Sequence, residues 1–227
     1  MIVPYSVDVP MERWPIANWC LMLATCGTSF AAFPSMTGGA PIESWMLYGA
    51  DPWDSELALL GSVMTHADLS HLVGNMIFLF VFGNAVNAKL GHSMFIALYF
   101  IFGAISSVAS AMFSDVPGLG ASGAIAGITG MFIVFFPKNT VSVFYWFFFR
   151  FFGTWSVPAL VVIGLYFAKD VAFHILEQTT GFASGVGVIA HISGTLAGFT
   201  AAIALILTDR VRATTAEETL LEVIGVH

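Results

Sequence analysis

Apolar residues run unbroken for helix-length distances six times along the chain, at roughly 15–33, 71–88, 93–113, 122–137, 156–176 and 189–207. A helix needs about 20 such residues to cross a bilayer, so the pattern predicts six membrane spans. The stretch VSVFYWFFFRFFGTW (141–155) breaks the pattern. Arg150 and Gly153 interrupt it and aromatics dominate it, which predicts a segment lying in the membrane interface as a lead-in to the fifth span. Between the first two spans lies a long loop, about 34–70, with five acidic residues (Glu43, Asp51, Asp54, Glu56, Asp68) and no Lys or Arg. Its Trp45, Tyr48 and Trp53 predict that it folds onto the interface. The fold expected is therefore an all-α membrane protein, a six-helix bundle over 15–207. A polar, Pro-bearing segment (1–14), unlike a cleavable signal peptide, precedes it, and a short mixed-charge tail (208–227) follows.

Composition agrees with that class. Of 227 residues, 58% are hydrophobic and only 9% charged, with mean hydropathy +0.87. Soluble domains carry about 25% charged residues, so this chain cannot cover an aqueous surface. A net charge of −7 argues against a nucleic-acid partner, which needs a basic patch. The two cysteines, Cys20 and Cys26, fall about 120° apart around one helix, and no disulfide between them is expected.

Basic residues orient the bundle. With both termini in the cytoplasm, Arg13, Lys89, Lys138, Arg150, Arg210 and Arg212 lie inside and only Lys169 lies near the outer face, as the positive-inside rule requires. Spans two, four and six then all start outside and run inward. Their first turns carry the polar cluster of the hydrophobic region: His71 and Asn75, Ser122, and His191. All four side chains are expected at one depth.

Span four is also short. From Ser122 to Pro137 it covers about 24 Å against a hydrocarbon core of about 30 Å, so Ser122 starts below the surface, beneath the loop FSDVPGLGA. Backbone outside a helix is tolerated at that depth only inside protein or beside a water-filled cavity. Gly120 and Gly123 suit the turn into the helix. Gly123, Gly127 and Gly130 form a small-residue face, and Gly194 and Gly198 of AHISGTLAGF form another. Two such faces meeting would bring His191 and Ser122 within hydrogen-bond range. A neutral imidazole could then take the serine proton and return it to a leaving amine. Spans two, four and six contain no Asp or Glu, so the group is read as a dyad without an acidic third member. His71 and Asn75, one turn apart, with the Ser122 backbone N–H, are candidate oxyanion donors.

HADLSHLVGN (66–75), GASGAIAG (120–127) and AHISGTLAG (190–198), in this order and spacing, resemble the rhomboid intramembrane serine proteases. The resemblance covers about Pro15 to Leu207. It implies Ser122 as nucleophile, His191 as general base and then acid, His71 and Asn75 as oxyanion donors, and His66 as a residue that structures the approach. It implies transmembrane proteins as substrates, cut near the outer end of their helix, with span five and the loop 177–190 as lateral gate and cap. It also implies a bacterial inner-membrane location. Two positions depart from the family pattern. Leu57 and Ala58 stand where many members carry a Trp-Arg pair, and Ala126 stands where some carry a tyrosine under the base histidine.

Blander roles compete for each residue. A lone serine at a helix start is usually a cap, glycine stripes serve packing alone, and His92, His174 and His227 read as interfacial bystanders. His66 and His71 are five apart, not the i, i+4 spacing of a helical zinc pair, so no metal or cofactor is expected. A catalytically inactive relative that binds transmembrane segments, and a small transporter, are the rival functions. The first usually lacks the serine or histidine; the second shows repeated halves, and GASG has no second copy here.

Overall fold

The computed structural model describes residues 2–32, 56–66, 68–113, 119–147, 150–181, 187–211 and 219–225. Most of the first loop, with Trp45, Tyr48 and Trp53, lies outside the described residues, as do the side chains of Leu57 and Ala58, and residues 114–118 and 182–186. In chain order the elements are β1 (Ile2–Val7), α1 (Ile16–Ala32), α2 (Glu56–Met64), α3 (Leu69–Phe78), a π-helical turn (Leu79–Gly83), α4 (Asn84–Leu90), α5 (His92–Phe113), α6 (Ser122–Phe135), β2 (Thr140–Phe147), β3 (Phe151–Pro158), α7 (Ala159–Thr180), α8 (Val188–Leu207) and α9 (Leu220–Val223). Among the described residues four helical runs are long and apolar enough to cross a membrane: Leu69–Leu90, His92–Phe113, Ala159–Thr180 and Val188–Leu207. Two more apolar helices, α1 and α6, are shorter, at 17 and 14 residues.

The bundle is organised around α6. Twelve of its fourteen residues are buried, all but Ser122 and Ala126. A helix apolar on every side has no face to offer water and takes the centre. Its neighbours close on it through aromatic rings, Phe82 on Phe132 edge-to-face at 5.1 Å and Phe132 on Phe136 at 5.0 Å. The fully buried Phe95, Tyr99 and Phe102 of α5 extend that core.

Along α8, glycine meets glycine. A methyl added at Gly194 would run into the Gly123 carbonyl, one at Gly198 into the Gly127 carbonyl, and one at Gly130 into the Thr195 carbonyl. Contacts that advance together along both chains mean that α6 and α8 run parallel, backbone against backbone. Only glycine permits that approach.

A buried polar seam ties α1 to the second span. The π-helical turn frees the Leu79 carbonyl, which accepts from Asn18 Nδ2 at 2.9 Å. The same amide donates to Asn84 Oδ1 at 2.8 Å, and Asn87 Oδ1 accepts the Asn18 backbone N–H at 3.1 Å. A side chain at Gly83 would strike the Asn18 amide. His92, beyond the seam, approaches Asn87 Nδ2 with its Nδ1 at 3.4 Å.

The all-α expectation is corrected by a three-stranded antiparallel sheet, in the order β1-β2-β3. In the stretch read as an interfacial lead-in, β2 and β3 pair antiparallel, Thr140 with Pro158 and Phe147 with Phe151. β-Branched and aromatic residues favour a pleated, half-buried surface, and alternation buries Val141 and Val143 while Trp146 stays exposed. Tyr145 covers Gly153 and stacks on Trp155 at 4.2 Å. The segment before α1, read as simply polar, supplies β1. Asp8 fastens it, its Oδ1 accepting from the Thr140 N–H at 2.7 Å and Asn139 Nδ2 at 3.0 Å, its Oδ2 from Thr140 Oγ1 at 2.9 Å. Partial burial pushes the Asp8 carboxyl up, but these hydrogen bonds outweigh it and hold the group below its usual range.

Candidate active site

Three helix starts, those of α3, α6 and α8, and the loop before α3 build the site. At α3, Asp68 caps the helix in extended backbone, accepting from the His71 N–H at 2.9 Å and the Ser70 hydroxyl at 2.5 Å. Those bonds hold the Asp68 carboxyl below its usual range. Capping sets His71 in the first turn and Asn75 one turn later on the same face. The His71 ring lies edge-on to His66 at 5.0 Å. It also lies against Gly120, where an added Cβ would come within 2.7 Å of its Cε1. Gly120 has φ +114°, outside the range comfortable for other residues. Two constraints thus demand glycine there.

The strand of backbone entering α6 is pinned on both sides. The Gly120 N–H donates to the Ser62 carbonyl of α2 at 2.8 Å, and the Ala121 N–H points at His66 Nε2 at 3.4 Å. Ala121 is the cap residue of α6 and Ser122 its first helical residue. Ser122 is therefore not an N-cap, and among the described residues its hydroxyl takes no hydrogen bond. The free N–H groups of the first turn surround it, a favourable place for negative charge.

His66 is fully buried and joins three elements. Asn75 Nδ2 lies 2.7 Å from its Nε2, and Ser29 Oγ of α1 lies 3.0 Å from its Nδ1. An amide N–H can only donate, so Nε2 accepts and Nδ1–H donates to Ser29, whose hydroxyl in turn reaches the Met64 carbonyl at 3.4 Å. Burial, then the neighbouring His71, push His66 down to about 4, against the opposing pull of Asp68. The ring is neutral at ordinary pH. It fixes one Asn75 N–H and leaves the second for another acceptor.

His191 stands in the first turn of α8, one turn before Gly194. The Gly123–Gly194 contact, with the Ala190 carbonyl 3.4 Å from a Cβ built at Gly123, sets the starts of α6 and α8 side by side. His191 is also within electrostatic range of His71. Its ring, however, is not hydrogen-bonded to Ser122. Nδ1 lies 3.2 Å from Oδ2 of Asp170, on α7. This carboxylate comes from the fifth apolar run, outside the three that carry His71, Asn75, Ser122 and His191. Its signal was its position, an ionisable residue within an apolar span. Ala126 carries no ring on which an imidazole could stack, and among the described residues Asp170 is the side chain that hydrogen-bonds to His191.

Ser106 Oγ of α5 is buried at the junction of Gly123 and Gly194 and has no hydrogen-bond partner among the described residues. Among the described residues, no group of three His, Cys, Asp or Glu could hold a metal ion.

Residues 54–208 match the Rhomboid domain family model. The chain is 33% identical over 148 residues to "Rhomboid protease GluP" of Bacillus subtilis, covering 65% of this chain and 25% of that protein. It is 32% identical over 110 residues to "Rhomboid protein 1, mitochondrial" of Saccharomyces cerevisiae (45% and 32%), and 30% identical over 173 residues to "RHOMBOID-like protein 12, mitochondrial" of Arabidopsis thaliana (68% and 46%). It thus spans between a quarter and a half of the length of these relatives. A family match over most of the chain, falling on the segments that carry His66, His71, Asn75, Ser122 and His191, places the chain in the rhomboid family of integral membrane proteins.

Proposed function

We propose that the chain is an intramembrane serine protease that hydrolyses peptide bonds in or near the transmembrane segments of single-span proteins. Ser122 is the nucleophile and His191 the base. The imidazole takes the Ser122 proton as Oγ bonds to the scissile carbonyl carbon. The resulting oxyanion is met by His71, the free N–H of Asn75 and the Ser122 backbone N–H. On collapse the C–N bond breaks and the imidazolium returns its proton to the leaving amine; water then hydrolyses the acyl-enzyme by the same route. His66, Gly120, Gly123, Gly127, Gly194 and Gly198 hold these groups in place.

The observation that supports this reading best is the parallel glycine-on-glycine crossing of α6 and α8, which sets the helix starts bearing Ser122 and His191 side by side. The proposal places residues 15–207 as a six-span catalytic unit with both termini inside and the site open to the outer face of a bacterial inner membrane. A fluorophosphonate probe tests it. Wild type is expected to be labelled and to cleave single-span substrates in liposomes, and Ser122→Ala and His191→Ala are expected to do neither. Labelling or cleavage that survives Ser122→Ala overturns the proposal.

A further inference from the structure

We propose that Asp170 is a positioning residue for His191, so that the serine–histidine pair is oriented through a relay by an aspartate from a third helix. The inference rests on the proposed function of Ser122 and His191 and adds a member to it.

Asp170 Oδ2 lies 3.2 Å from His191 Nδ1, and its side chain is 10% exposed. A carboxylate buried in an apolar helix is costly unless it is paired. Asp170 has two partners. Oδ1 contacts Lys169 Nζ at 3.1 Å, off hydrogen-bond geometry, and Lys169 leans over the rings of Tyr166 and Phe173. Lys169 is 44% exposed, so it offsets the charge of the carboxylate from its solvent side while leaving Oδ1 without a hydrogen bond. The inward oxygen meets the imidazole.

That contact decides a tautomer. An ionised carboxylate only accepts, so the His191 proton sits on Nδ1 and the lone pair on Nε2. Nε2 is then the atom that takes the Ser122 proton, and the imidazolium formed in that step carries both N–H groups, one of them directed at a negative charge. Asp170 stays ionised throughout. It orients the ring and stabilises its positive charge. No other described side chain hydrogen-bonds to His191, and Ala126 has no ring to offer it. The carboxylate therefore supplies the restraint.

Because Asp170 belongs to α7 and His191 to α8, the relay also links the placement of α7 to the chemistry. An outward shift of α7 by a few ångströms breaks a 3.2 Å contact.

The test uses the purified full chain in liposomes, with fluorophosphonate labelling rate, kcat and KM for one cleaved single-span substrate, and thermal unfolding. Asp170→Asn keeps the shape but can hold the opposite tautomer. Its labelling rate and kcat are expected to fall roughly 10–100-fold, with KM within about twofold of wild type, less than the ~10⁴-fold of a fully enclosed aspartate. Asp170→Glu restores the carboxylate and is expected to recover a substantial part of both rates. Gly164→Ala, on the same helix with open space around it, is expected to leave both near wild type. Asp170→Asn at the wild-type rate overturns the inference, as does an Asp170→Glu chain that remains folded yet is no faster than Asp170→Asn. Wild-type labelling that is lost in Ser122→Ala but indifferent to Asp170 removes this inference alone. No labelling of wild type removes the proposed function and the relay with it.

Discussion

Asn75 Nδ2 and His66 Nε2 are 2.7 Å apart, and that pair, with Ser29 on the far side of the ring, makes α1 part of the scaffold for the site. One consequence is an effect of pH on stability. The folded chain holds His66 near 4, below its ordinary 6.5. Between those values the unfolded chain binds the proton and the folded chain does not, so stability is complete above about pH 6.5 and declines as pH falls towards 4. Thermal scans of wild type are expected to show that decline. His66→Gln is expected to flatten it over the same window.

His66→Ala leaves the Asn75 amide, the Ala121 N–H and the Ser29 hydroxyl without their partner in a buried place. Each such loss costs about 1–3 kcal/mol where water cannot substitute. We expect a lower unfolding temperature and a cleavage rate well below that of wild type. His66→Gln is expected to recover part of the stability. Unchanged unfolding for His66→Ala would show that the ring carries none of these groups.

In the proposed mechanism Asn75→Ala removes an oxyanion donor and leaves Ser122 and His191 in place. The expected loss is about 10²–10³-fold in kcat with little change in KM. A change confined to KM would assign Asn75 to substrate binding.

Gly198→Ala forces a methyl against the Gly127 carbonyl, where backbone must move. Overpacking of this kind costs about 1–3 kcal/mol, and separation of α6 from α8 is expected to reduce fluorophosphonate labelling as well. Gly164→Ala, on α7 with open space around it, is the control. Alanine there is expected to be neutral or stabilising by up to about 1 kcal/mol. Equal behaviour of the two variants would contradict the close crossing.

Asp8→Ala releases β1 from β2, at the other end of α6 from Ser122. A loss of roughly 0.5–1.5 kcal/mol is expected, as for an ordinary exposed hydrogen-bonded group, with fluorophosphonate labelling unchanged. The Asp8 carboxyl is held below its usual range. Its contribution is therefore present above the unfolded carboxyl's pKa and disappears as pH falls through the folded one. Wild type and Asp8→Ala should converge in strongly acidic solution.

Much of this arrangement follows from the one-dimensional pattern. Apolar runs of helix length have no alternative in a bilayer, so the long helices and the family could be read directly, as could the glycine stripes and the residues ahead of them. Local patterns end where partners distant in the chain begin. Residues 141–155 read as an interfacial segment, because whether Val141, Val143 and Trp146 form a strand depends on pairing with Ile2–Val7, more than a hundred residues away. The fastening of Asn75 by His66 and Ser29 needed α1 to come against the loop before α3. Asp170 was visible as a charge in an apolar run, but nothing in its neighbourhood named His191. Composition and periodicity specify which residues leave water. Which of them touch is decided only when close-packed backbones, such as Gly123 on Gly194, bring helix ends into register.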